Sequence, residues 1–406
     1  MSVDRLGACV SDVRLTQEAP DVDLRYGINP QQQAAHAAPV RPGRLPVRVL
    51  QGSPSYINML DALNSWQLVL EASRALNRPA ATSFKHVSPA GAAVTGPVDD
   101  VTAELYGIDR AGVGALTSAY LRARDADPKS SYGDFAAVSH PVDTELAELL
   151  TGVVCDGIIA PGYAPGTVAT LSKKKNGRFL VMEADEAFVP PQHERRDVFG
   201  LRLTQQRDEV ALITTLLDDV VCGALPATAA EDLLLGLAVL RHTQSNSVCY
   251  LLGGTTLGIG AGQQSRVDCT RLAGAKADTW WLRRHPAVRA LAFRPAIRRQ
   301  DRINWQIRFI EGDLTPDENV RLANALSMPA PELTDDQRRQ WLTGLREVAF
   351  VSDGALPFRD NVDHAHRHGV GYIAEPGGSI RSAEVEDACR EHQIALARTG
   401  LRLFHH

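Results

Sequence analysis

The chain has 406 residues, 44% hydrophobic and 22% charged, with 43 Lys+Arg against 48 Asp+Glu and a net charge of -5. At roughly 150 residues per domain there is room for two or three domains, and the composition excludes wholesale disorder. The acidic excess argues against a broad nucleic-acid surface, and no apolar run reaches the roughly 18 residues of a membrane helix.

Met1 to Pro20 lack a basic start followed by an apolar block, so secretion is not indicated and a cytoplasmic location is expected. Short apolar runs then alternate with longer amphipathic segments, the pattern of an α/β fold. Ile57, Leu60, Leu63, Leu70 and Leu76 recur near helical spacing, which predicts a helix over 56–76 with Ser53 or Ser55 as cap. Strands are expected at 80–84, 135–139, 157–160 and 179–183, and helices at 114–126, 144–150 and 167–174. The second half repeats this grammar. A helix is expected over 227–242, two strands over 248–252 and 255–259 around a Gly-Gly turn, and a helix over 265–282. Strands at 348–352 and 371–374 alternate with helices at 360–368 and 383–392. Between them, 285–346 is rich in Arg and Pro, with helix starts at Thr315 and Thr334, and reads as a helical insertion. No residue-level repeat is visible. Cys9, Cys155, Cys222, Cys249, Cys269 and Cys389 are scattered and read as buried thiols.

Five places concentrate chemistry. Arg25-Tyr26-Gly27 offers a forked donor and a phenol, fitting an anion loop or a plain surface loop. Lys85-His86, after a strand within Ser83 to Gly91, supplies a cation and a base near neutral pH, or simply an exposed turn. Gly133-Asp134 and Asp156-Gly157 flank strands and fit turns. Thr243 to Val248 is a run of small polar residues, and Gly258 to Gly262 resembles a GxGxG loop that could cradle an anion. It lacks the further glycine and acidic residue of a dinucleotide fold. Ser352 to Asn361 follows a strand and fits either a ring-binding loop or a helix cap. His364, His366 and His368 alternate on a helix and do not converge on a metal.

Collinear blocks carry a resemblance. Leu24 to Gly27, Ala81 to Gly91, Asp156 to Tyr163, Thr243 to Tyr250, Gly258 to Arg271, Pro357 to Asp363 and Leu401 to His406 are similar to the transformylase part of the bifunctional purine-biosynthesis enzyme, AICAR transformylase. The resemblance implies formyl transfer from 10-formyltetrahydrofolate to the 5-amine of AICAR. It implies His86 as general base, Lys85 as oxyanion or proton partner, and Asn246 as the residue that orients the formyl oxygen. It places Arg25, Tyr26 and Arg402 at the nucleotide phosphate, Asn58 and Arg266 at the carboxamide, and Gly133 and Asp156 near ribose and base. Folate is expected near Pro357, Asp360 and Asn361. Ser245, Ser247, Asp353 and Leu403 resemble a potassium site.

The implied fold is α/β, two cytidine-deaminase-like three-layer lobes with a small helical insertion. The expected divisions are an N-terminal extension at 1–24, a first lobe at 25–203, a second at 204–284 and 347–406, and the insertion at 285–346. The family acts as homodimers with active sites at the interface. Only 24 residues precede Arg25, so the resemblance implies no IMP cyclohydrolase domain and a separate cyclohydrolase as pathway partner. A formyltransferase paralogue for another amine, or a non-catalytic AICAR- or folate-binding regulator, is the alternative. The deaminase zinc signature is absent.

Overall fold

A computed structural model describes residues 21–40 and 45–406. Most of the expected N-terminal extension, with Cys9, lies outside the described residues. Two six-stranded sheets dominate. The first contains β3 (Val47–Gln51), β4 (Ala80–Lys85), β5 (Ser88–Val94), β6 (Asp134–Val138), β7 (Cys155–Ala160) and β8 (Leu180–Ala184). It follows two short paired strands, β1 (Val22–Leu24) and β2 (Ala35–Ala37). A two-stranded ribbon, β9 (His193–Val198) and β10 (Leu201–Gln206), leads to the second sheet. That sheet contains β11 (Asp219–Cys222), β12 (Val248–Leu251), β13 (Thr256–Gly260), β14 (Val348–Ser352), β15 (Val370–Glu375) and β16 (Ala395–Arg398).

The strand orders are β3-β8-β7-β6-β4-β5 and β11-β16-β15-β14-β12-β13. In both, the two central pairings are parallel and the outer ones antiparallel. The second half is thus a structural repeat of the first, although the sequence shows none.

Each sheet is covered on both faces, because consecutive strand residues point to opposite sides. Leu180 and Met182 face one core while Val181 faces the other. The helices Tyr56–Leu76 and Ala227–Arg241 lie between the sheets and share one core. Trp66, Leu68, Leu233, Leu237 and Leu240 are all buried in it, and each such side chain contributes about 1.5–3 kcal/mol. The helices Ala115–Ala126 and Arg266–Leu282 cover the outer faces.

The sheets meet edge to edge at β5 and β13, where Ala92 N donates to Thr256 Oγ1 at 3.0 Å. Val94 N donates to the Gly254 carbonyl at 3.0 Å. Nearby, Arg283 is fully buried and reaches across the halves to Asp125, with Nη1 on its carbonyl at 3.1 Å and Nη2 on its carboxylate at 2.7 Å.

The helix expected at 56–76 has those bounds, and Ser55 is its cap. Thr315 and Thr334 cap helices Pro316–Ala325 and Asp335–Leu342 through capping boxes. The segment 285–346 also holds helices Pro286–Arg289 and Arg299–Glu311, around an apolar cluster of its own that includes Val288, Leu291 and Phe309.

Two expectations are corrected. Ser88 to Gly91, to which no strand was assigned, is the start of β5. Gly258 and Gly260 belong to β13, so their amides are in the sheet and do not form an anion cradle. Their missing side chains admit a helix instead. A Cβ on Gly258 would lie 2.2 Å from the Ala273 carbonyl, and one on Gly260 2.6 Å from that of Cys269. The remaining cysteines are free, and all but Cys222 are buried. Among the described residues no helix is long and apolar enough to cross a membrane.

Candidate active site

Lys85 ends β4 and Ser88 begins β5, so His86 and Val87 form a two-residue turn between paired strands. Both have positive φ, +54° and +58°. Hairpin turns of this length want positive φ at both positions, which is why Asn-Gly and Gly-Gly serve them. A non-glycine residue there costs about 1–2 kcal/mol, and β-branched Val87 is the least suited. The His86 side chain is thereby exposed at the hairpin tip.

Residues far apart in sequence surround this tip. The segment after β1 docks on the start of helix Tyr56–Leu76, with Arg25 N on the Pro54 carbonyl at 3.0 Å and Tyr56 N on that of Tyr26 at 3.2 Å. Arg25 Nη2 donates to Asn58 Oδ1 at 3.1 Å, and its guanidinium lies 5.5 Å from the Tyr26 ring centroid. Asn58 Oδ1 also accepts from Ser55 N and Oγ in the capping box. One turn further along, Asp61 accepts the Val87 amide at 2.7 Å. Burial pushes the Asp61 carboxyl up to about 6. The Val87 amide pulls against this, Asp156 adds to it, and Lys85 opposes it. Lys85 Nζ donates to the Tyr132 carbonyl, beside Gly133. A Cβ on Gly133 would stand 3.9 Å from Asp156 Oδ1, and Asp156 pairs with Lys175. Arg25, Tyr26, Asn58, Lys85, His86, Gly133 and Asp156 thus form one cluster.

A second cluster belongs to the other lobe. Asn246 follows a cis peptide bond after Ser245. Its Nδ2 donates to the Gln263 carbonyl at 2.9 Å, and its Oδ1 accepts from Arg266 Nη2 at 2.7 Å. Buried Arg266 also pairs with Asp353 and donates to the Ser247 carbonyl at 3.1 Å. Asp353 Oδ2 accepts from Ser245 Oγ at 2.6 Å and from Ser247 N and Oγ at 2.9 Å. The C-terminal tail closes over this group. Leu403 N donates to the Asp353 carbonyl at 2.8 Å, and Ser245 N to that of His405 at 3.0 Å. Exposed Arg402 lies 4.8 Å from the Phe404 ring centroid. The two clusters touch where Gln244 N donates to Ser88 Oγ at 3.4 Å.

Ser245, Ser247 and Asp353 are a set of hard oxygen donors, whose chemistry fits a monovalent cation better than a transition metal. The Arg266 guanidinium already supplies positive charge to the same carboxylate. The expected folate residues are divided. Pro357 and Asp360 are half-buried before and at the start of helix Asp360–Arg367. Asn361 is wholly buried, its Nδ2 donating to the Phe358 carbonyl at 3.2 Å and its Oδ1 accepting from Thr270 at 3.2 Å. It braces the loop from within. The three alternating histidines diverge: His364 accepts from Arg271, His366 stacks on His392, and His368 meets Asp278.

Sequence reasoning missed Asp61. The available signal was an acidic residue between Leu60 and Leu63, on the face of the helix that packs inward.

Comparison with known proteins bears on this arrangement. A family model described as AICARFT/IMPCHase bienzyme matches residues 8–276. Among curated relatives, the bifunctional purine biosynthesis protein PurH of Roseobacter denitrificans is 32% identical over 386 residues, 94% of this chain and 59% of the relative. PurH of Myxococcus xanthus is 31% identical over 95% of this chain and 60% of its own length, and PurH of Aquifex aeolicus 31% over 94% and 59%. The chain therefore spans about 60% of the length of these relatives.

Proposed function

This chain belongs to the AICARFT/IMPCHase bienzyme family, and from that premise we propose that it transfers the formyl group of 10-formyltetrahydrofolate to the 5-amine of AICAR in purine biosynthesis. The observation that carries the reading is the exposed His86 on a strained hairpin tip next to Lys85, a turn tied through the Val87 amide to Asp61 on the helix whose first turn holds Asn58 and, through it, Arg25.

The amine is a weak nucleophile, because its lone pair is delocalised into the ring and carboxamide. Holding it against the formyl carbon supplies much of the rate. As the new C–N bond forms, His86 takes the amine proton, and Lys85 stabilises the oxyanion. The bond from the formyl carbon to folate N10 then breaks, N10 gains a proton, and tetrahydrofolate leaves. Asn246, held by Arg266 and the Gln263 carbonyl, orients the formyl oxygen. Arg25, Tyr26 and Arg402 bind the phosphate, Asn58 and Arg266 the carboxamide, and Gly133 and Asp156 the ribose and base. Folate lies along Pro357 and Asp360, with Asn361 supporting that wall. Ser245, Ser247 and Asp353, with the backbone oxygen of Leu403, would hold a potassium ion, which would supply a further cation for these oxygens and stiffen the loop around Asn246.

The matched sheets support reading the lobes as cytidine-deaminase-like units. We also read the protein as a homodimer with active sites at the subunit interface, as the family resemblance implies. A cytoplasmic location suits this chemistry.

The test is tetrahydrofolate release on adding AICAR. We expect AICAR-dependent release, and His86→Ala should lower turnover by about 10²–10⁴-fold while leaving nucleotide affinity near its original value. Equal losses in turnover and affinity would contradict the role of His86. Release only with another amine would select the paralogue reading, and binding without release the regulator.

A further inference from the structure

The two lobes carry the same device at the tip of the same hairpin. In the second lobe the turn is Gly253-Gly254, with φ of +62° and +79°. Asp232 accepts both turn amides, that of Gly253 at 2.8 Å. In the first lobe the turn is His86-Val87, and Asp61 accepts the Val87 amide at 2.7 Å. Asp61 and Asp232 are each the sixth residue of their helices, Tyr56–Leu76 and Ala227–Arg241. Burial pushes both carboxyls up to about 6.

The difference between the copies is informative. Glycine reaches the left-handed region without strain, so the second turn needs little help. The first turn gives up that ease and places an imidazole at its tip. Such a conformation persists only where its surroundings over-determine it. The β4–β5 ladder holds one side of the turn. On the other side stands the Asp61 carboxylate.

We propose that Asp61 is a positioning residue whose carboxylate clamps the Val87 amide, keeps the His86-Val87 turn left-handed, and so aims His86 and Lys85 at the reacting atoms. This rests on the reading of His86 as the general base. Asp61 touches neither substrate; it acts through the backbone of the turn.

Four variants of the full chain test it, with tetrahydrofolate release for turnover and hydrogen exchange of the 84–91 peptide for the clamp. Asp61→Ala should lower kcat about 100-fold with KM for AICAR within about threefold, the cost of a catalytic group displaced by an ångström or so. Asp61→Asn keeps an oxygen acceptor and should recover to within about tenfold of the parent. Asp61→Ala with Val87→Gly should regain at least about tenfold over Asp61→Ala alone, since glycine needs no clamp. Asp232→Ala should lower stability without changing turnover per folded molecule.

Exchange of the hairpin peptide should speed up about tenfold or more in Asp61→Ala and stay slow in Asp61→Asn. An Asp61→Ala variant with unchanged kcat would overturn the proposal, as would a loss that Val87→Gly leaves unrepaired. If the parent protein itself releases no tetrahydrofolate, the functional reading fails. The clamp is then judged by exchange alone, and unchanged exchange in Asp61→Ala overturns it.

Discussion

Asp61 shows how one side chain can work against stability. Its carboxyl is raised from 3.8 to about 6, chiefly by burial. Between about pH 4 and 6 the folded protein keeps a proton that the unfolded chain releases. Asp61 therefore makes stability fall as pH rises through that window, and above pH 6 the penalty is complete. At 1.36 kcal/mol per unit the ceiling is about 3 kcal/mol. Urea denaturation of Asp61→Asn should show a stability gain over the parent that is near zero at pH 4 and grows towards this ceiling by pH 7. A gain independent of pH would contradict the origin assigned to the shift. At this scale the sequence was legible for side chains that announce chemistry, such as Lys85, His86 and Arg25. It was silent on Asp61, whose role depends on a backbone amide 26 positions away that no local pattern points to.

Elements with a strong period or a glycine turn could be read in advance. The helix Tyr56–Leu76 and the hairpin around Gly253-Gly254 are examples. The first-lobe hairpin was hidden, because its turn holds no Gly or Asn and its return strand, β5, is built from Pro89, Ala90, Gly91, Ala92 and Ala93. Those small residues exist because a helix passes close by. A Cβ on Gly91 would stand 2.1 Å from the Ala123 carbonyl. Gly91 lies four residues past its turn, as Gly258 does past Gly254, and each lets an outer helix approach its sheet. Gly91→Ala and Gly258→Ala should each cost about 1–3 kcal/mol, from the overpacking each methyl brings. Denaturant midpoints measure this, and a loss below about 0.5 kcal/mol at either site would show that the helix moves aside freely.

Across the whole molecule, the duplicated sheets were foreshadowed by the repeated α/β grammar, while their identical strand order emerges only once register is known. The β9–β10 ribbon was not foreseen, for it is polar and wholly exposed. A two-stranded ribbon with both faces in water is marginal by itself, and this one exposes Val198, Phe199, Leu201 and Leu203. Its base adjoins the tail over the second cluster, since Glu194 and Arg196 act on the titration of His405. In the homodimer proposed above, a second copy of the chain would cover it. Sedimentation velocity should find a dimer for the parent and a shift to monomer for Phe199→Asp with Leu203→Asp. A parent that sediments as a monomer at tens of micromolar would refute the assignment.

The buried reach of Arg283 to Asp125 has a consequence for how the molecule comes apart. Prising the halves from one another would strand a guanidinium on one side and a carboxylate on the other, in places made for neither water nor charge. Either half expressed alone should therefore be poorly stable, and the two are expected to unfold together in a single transition.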